Sequence, residues 1–180
     1  MKKNSLLKTF DFLKAKKIFF FGLFISIVVI LIDQFTKYIA MTSVESIILK
    51  TNGVHTHIKK TSFFNLVLVW NRGISFGVFN NNNSIITTVL LLIILAIVVY
   101  IFYILWKNNN LLLMFCYSLM LGGAIGNIID RINYGAVIDF IDVHLGDLHW
   151  PAFNIADSCI CIGVCLYLFY DVVVSKFRNK

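Results

Sequence analysis

Charge is what this sequence has least of: 14% of its 180 residues are charged and only nine are acidic. An ordinary soluble domain is about 25% charged. With 59% hydrophobic residues and a mean hydropathy of +0.83, the chain has too little polar surface to cover a soluble core. A soluble domain is thereby excluded, and a polytopic membrane protein is indicated. No Gly-rich phosphate loop and no internal repeat is present. No Ser-His-Asp or Cys-His arrangement competes well; a Ser158/His149 pair is conceivable, but Ser158 lies within a helical run without an activating motif. Cys116, Cys159, Cys161 and Cys165 sit inside apolar runs and read as small hydrophobes. His55 and His57 alternate along a candidate strand without the partner ligands that zinc requires. The net charge of +7 does not imply nucleic acid, because the basic residues gather mostly at the ends and outside the apolar runs, as topology signals do.

What the chain does have is long apolar segments. Spanning a bilayer takes about 20 such residues, and four stretches qualify, at roughly 18–41, 84–106, 111–129 and 152–174. The first follows a lysine-rich start, but no small-residue cleavage site follows promptly, so it reads as a retained helix. Four spans put both termini on one side, and the distribution of Lys and Arg favours the cytoplasm for them. Residues 42–83 and 130–151 then face outward, within a single membrane-embedded unit over 1–180. Asn52-Gly53 is a hairpin signal and Phe63 to Trp70 is rich in strand formers. The expected fold is therefore α-helical and polytopic, four transmembrane helices with a small β-rich extracytoplasmic segment resting on the membrane.

Five of the nine acidic residues lie between Gly122 and Asp157. Asn127, Asp130 and Arg131 stand at i, i+3 and i+4 and share a helix face. Gly122, Gly123 and Gly126 allow close helix approach. Asp130 with Arg131, and Asp33 with Lys37 one turn later, both read as ion pairs on structural grounds. Asp139 follows the Tyr134-Gly135 turn inside an apolar run, where desolvation raises a carboxylate pKa. Asp147 falls in a polar loop and Asp142 has no assigned role. Asn154 and Asp157 share a face at the outer end of the last span; helix capping is the structural alternative for them. Two carboxylates held close share a proton, so one ionised member can deprotonate a water while its protonated partner polarises a carbonyl. The Asn71-Arg72-Gly73 turn could present Asn71 to the same place.

WNRGISFG (Trp70–Gly77), GGAIGNIIDRINYGAVIDFIDV (Gly122–Val143) and FNIAD (Phe153–Asp157) resemble the signature blocks of the lipoprotein signal peptidases, the type II signal peptidases. With the four spans and the Asp of the first helix, the resemblance covers effectively the whole chain beyond the basic tail. It implies a bacterial inner-membrane aspartic endopeptidase, needing neither cofactor nor metal, with Asp139 and Asp157 as the catalytic pair. Asp33, Asn71, Gly73, Asn127, Arg131 and Asn154 match residues that position substrate or support the pair, and Asp130 matches a structural position. Ser75 stands where the family more often has Ala. The implied partners are membrane lipids and a prolipoprotein whose Cys carries diacylglycerol, cut on the N-terminal side of that Cys. The enzyme is expected to act as a monomer, with both termini cytoplasmic and the site at the outer face. Two rival readings are a metal-dependent membrane phosphotransferase, loosely suggested by Asp130-Arg131…Gly135…Asp139…Asp142 although the last two Asp are not one helical turn of four apart and the first Asp-Gly element is missing, and a small ion or proton carrier.

Overall fold

A computed structural model describes residues 2–50, 58, 59, 61–73 and 84–178. Asn52-Gly53, His55, His57 and Ser75 lie outside the described residues. The elements run α1 (Lys2–Lys50), β1 (Ile58–Lys59), β2 (Phe64–Asn71), α2 (Ser84–Lys107), α3 (Leu111–Tyr134), β3 (Val137–Leu145), β4 (Leu148–His149) and α4 (Ile155–Arg178). All four helices contain stretches long and apolar enough to cross a membrane. The chain is a multi-pass α-helical membrane protein with a small sheet at one end of the bundle.

Helix α3 is the centre of the bundle: 67% of its most apolar window is buried, against 6% in α2 and in α4. The outer faces of the other helices carry exposed Leu92, Val99, Leu168 and Phe169, as a lipid-facing surface requires. Small residues let α3 occupy that place. A Cβ on Gly122 would lie 2.7 Å from the Ser26 carbonyl of α1, and one on Gly123 would collide with the Ala156 carbonyl of α4. Asn110 caps α3, its Oδ1 accepting from the Leu112 and Leu113 amides, and Gly135 ends it in the left-handed region at φ 68.

Four elements depart from the sequence reading. Helix α3 runs on to Tyr134, past the expected end of its span near 129. Helix α1 continues to Lys50, past the expected end of the span near 41. No Gly or Pro interrupts residues 42–50, Ala40 and Val44 extend its buried face, and the Thr42 and Ser46 hydroxyls bond back to helix carbonyls. Asp139 sits on a strand, β3, where the sequence reading identified strand formers only from Phe63 to Trp70. Helix α4 begins at Ile155 and not at Ala152, because Phe153 bridges to Ile141 of β3 before the chain turns helical.

The sheet runs β1-β2-β3-β4, all neighbours antiparallel. Its informative feature is an irregularity between Leu66 and Val69. Before it, Phe64 pairs with Val143; after it, Val69 pairs with Asp139 and Asn71 with Val137. Had the first register continued, Asn71 would oppose Ala136 and its side chain would lie on the face away from Asp139. A one-residue shift exchanges the two faces of a strand. The bulge therefore brings Asn71 to the face of Asp139.

Candidate active site

Asp139 and Asp157 line one cleft of about 510 Å³, together with Asn71, Trp150 and Phe153. Each carboxylate is held by asparagine amides. Asp139 is 2% exposed; its Oδ2 accepts from Asn71 Nδ2 at 3.0 Å and its Oδ1 from Asn154 Nδ2 at 2.8 Å. Asp157, half-buried, accepts at Oδ1 from Asn127 Nδ2 at 2.8 Å. Burial, then the neighbouring charge of Asp157, push the Asp139 carboxyl up to about 7, although the Asn71 and Asn154 amides pull it down.

The asparagines are themselves fixed. Asn154 caps α4, its Oδ1 accepting from the Asp157 amide at 2.8 Å. Its Nδ2 meanwhile reaches Asp139, so capping and site support are one arrangement and not competing explanations. Asn71 Oδ1 accepts from the Gly73 amide at 3.1 Å. Arg131 donates to the Gly73 carbonyl at 3.1 Å and to the Asn127 carbonyl at 3.2 Å, tying the end of β2 to α3.

Beneath this layer lies an ionic one. Lys37 Nζ stands 2.8 Å from Asp33 Oδ2 and 2.6 Å from Asp130 Oδ2, all three residues buried. Asp33 Oδ1 accepts from the Ala156 amide at 2.8 Å and Asp130 Oδ2 from the Ile138 amide at 3.1 Å. The partner of Asp130 is thus Lys37 and not Arg131. Adjacent residues on a helix point about 100° apart, so Arg131 is turned away toward Gly73 while Asp130 faces α1. Gln34 also belongs to this layer, donating to Asp130 Oδ1 at 2.9 Å and to the Gly126 carbonyl at 3.2 Å. No sequence spacing pointed to Gln34; its place is set by the packing of α1 on α3.

The remaining carboxylates separate from the site. Asp142 lies on the other face of β3, accepting from Asn65 Nδ2 at 2.7 Å and meeting His149 Nδ1 at 2.8 Å. Desolvation raises its pKa, but the Asn65 and His149 contacts outweigh that and hold it below the ordinary value. Asp147 is exposed. Asp139 and Asp142 occupy opposite faces of one strand and so do not point into one site, as the phosphotransferase reading would need. The Ser158/His149 pair is not formed either: Ser158 Oγ donates to the Asn154 carbonyl at 3.0 Å and His149 is engaged with Asp142.

A second cleft, about 380 Å³, shares Asn71, Asp157 and Ile160 with the first and is walled largely by Leu90, Ile93 and Ile97 of α2. Asp157 and Asn71 therefore stand where two largely apolar grooves meet, with Asp139 on the first of them.

The sequence between residues 25 and 173 matches a family model described as signal peptidase (SPase) II. The lipoprotein signal peptidase of Thermodesulfovibrio yellowstonii is 44% identical over 144 residues, covering 80% of this chain and 89% of the relative. That of Janthinobacterium sp. is 44% identical over 150 residues, covering 82% and 86%. A solved structure described as a bacterial membrane enzyme superposes with a TM-score of 0.68 at 30% identity, covering 88% of this chain and 90% of its own.

Proposed function

The chain belongs to the signal peptidase II family, a family of membrane hydrolases, and from that premise we propose that it cleaves signal peptides from diacylglyceryl-modified prolipoproteins at the bond preceding the lipidated Cys. The observation that carries the reading is the convergence of Asp139, from β3, and Asp157, from the first turn of α4, on one cleft with an asparagine donor on each. The two share one proton across the pair. The ionised member takes a proton from a bound water, the water oxygen attacks the scissile carbonyl, and the protonated member donates to the carbonyl oxygen. As the tetrahedral intermediate collapses and the C–N bond breaks, the proton taken from water passes to the leaving amine and a hydroxyl proton of the intermediate returns to the other carboxylate, restoring one shared proton. No covalent intermediate is needed.

The surroundings suit such a substrate. Two largely apolar grooves meeting at Asp157 offer walls for acyl chains and for an apolar peptide. In this reading the sheet and the site lie at the outer face of the bacterial cytoplasmic membrane, with both termini cytoplasmic. The discriminating experiment offers the purified protein a diacylated prolipoprotein and the same precursor without lipid. Cleavage of the first and survival of the second is the expected outcome; equal cleavage of both would overturn the lipid requirement.

A pH dependence follows from Asp139. Its carboxyl is raised to about 7, so the pair keeps its shared proton below neutrality and loses it as pH rises through that value. With both members ionised, no acid remains to polarise the carbonyl. The kcat/KM profile is expected to fall on the alkaline side of about pH 7 in the free enzyme. A flat profile up to about pH 9 would contradict the shared-proton mechanism.

A further inference from the structure

We propose that Lys37 is a positioning residue for this reaction: its ammonium sets the orientation of the Asn127 amide that donates to Asp157, and joins the two carboxylates that anchor the backbone beside each member of the pair. The inference rests on the reading of Asp139 and Asp157 as the acting pair.

Lys37 is 1% exposed. Its three contacts, Asp33 Oδ2 at 2.8 Å, Asp130 Oδ2 at 2.6 Å and Asn127 Oδ1 at 3.0 Å, match the three protons of an ammonium. An ammonium has no acceptor. The Asn127 atom facing it must therefore be the carbonyl oxygen, which turns the NH2 toward Asp157 Oδ1 at 2.8 Å. Asn154 Nδ2 donates to the same Asn127 oxygen at 3.2 Å, so a flipped amide would face two donors with a third. The choice of atom is electrostatic and not steric.

The two carboxylates on Lys37 each grip one backbone N–H. Asp33 holds that of Ala156, the residue before Asp157, and Asp130 holds that of Ile138, the residue before Asp139. One ammonium thus links two clamps, each closing on the peptide next to one member of the pair. Helices α1 and α3 could be joined by apolar packing at less cost, since buried ions in a membrane span are expensive. What packing could not supply is a donor-only group behind Asn127.

The test measures kcat and KM for a diacylated precursor across pH in full-length Lys37→Met, beside wild type, Asp139→Asn and Asp157→Asn. Thermal unfolding of each purified protein sets the folded amount. The other charged groups facing the pair are Asp33 and Arg131, with Asp130 beside Arg131, and all are retained in Lys37→Met. The expected result is a kcat about 100-fold lower, the scale of a small misplacement of reacting groups, with KM within about threefold of wild type. The acidic limb of the kcat profile should move to higher pH by about one unit, because a cation favouring the ionised carboxylates is gone. A second variant, Lys37→Met with Asp130→Asn, keeps the net charge of the cluster and an acceptor for the Ile138 amide. It should fold where the single variant does not and show the same low kcat, while its acidic limb, with the cluster's net charge kept, moves less than in Lys37→Met. An unchanged kcat per folded molecule with an unmoved profile would overturn the proposal. So would failure of both variants to fold, which would make Lys37 structural alone. If Asp139→Asn and Asp157→Asn are inactive while Lys37→Met turns over normally, only this proposal falls; if those two variants stay active, the reading of the pair falls first.

Discussion

Replacing either Asp139 or Asp157 with Asn is expected to lower cleavage of a diacylated precursor by about 10³–10⁴-fold, the scale seen when one member of a concerted catalytic unit is removed. Asn has nearly the shape of Asp but neither accepts a proton from water nor shuttles one to the leaving amine. The fold should survive, because each position keeps an oxygen for its asparagine donor. Asp139→Asn is the less comfortable substitution of the two. Asp139 accepts on both oxygens, from Asn71 and from Asn154, so an amide there must aim its NH2 at another donor, at a cost of about 1–3 kcal/mol. Asp157 has one such donor, from Asn127, and Asp157→Asn should be the more stable variant. Turnover per folded molecule separates the two effects, and near-wild-type turnover in either variant would remove the aspartate mechanism.

The second large effect is on stability. Asp130→Ala is expected to destabilise the protein by about 3–5 kcal/mol, the range for removing one partner of a buried ion pair. Three groups each lose an acceptor together: the Lys37 ammonium, the Ile138 amide and Gln34 Nε2. The Lys37 ammonium cannot turn to water instead, since Asp130 and Lys37 are both buried. Asp130→Asn should cost markedly less, because one amide oxygen remains for the Ile138 N–H. Thermal unfolding in detergent, with the yield of folded protein, reads the difference. An Asp130→Ala protein melting within about 2 °C of wild type would show that the ionic layer is dispensable to the fold.

Much of this protein is legible before folding is considered. Helices α2 and α3 begin at the residues their apolar runs predict, because a span has one sharp physical requirement and polar breaks such as Lys107 to Asn110 mark its ends. The Tyr134-Gly135 turn was legible for a similar reason, since a left-handed residue calls for glycine. The strand identity of Val137–Leu145 was not. A short apolar run reads equally as loop, strand or buried helix until a partner supplies its hydrogen bonds, and here the partner is β2, far back in the chain beyond two membrane-spanning helices.

The sequence by itself determined the class of molecule and the chemical inventory: four apolar helices, scarce charge, and acidic residues gathered between Gly122 and Asp157. It also marked Asp139 and Asp157, through local context and the motif around each. Tertiary structure alone decided the wiring. Asp130 bonds to Lys37 across a helix interface and not to its chain neighbour Arg131, because helical geometry points adjacent side chains apart. Asn71 reaches Asp139 only because a bulge shifts the register by one residue. Lys37, which reads as one half of a local ion pair, turns out to face both clamps and Asn127. Composition and spacing state which groups are present; which donor meets which acceptor depends on the packing of segments far apart in the chain, and that packing is set only when the whole chain folds.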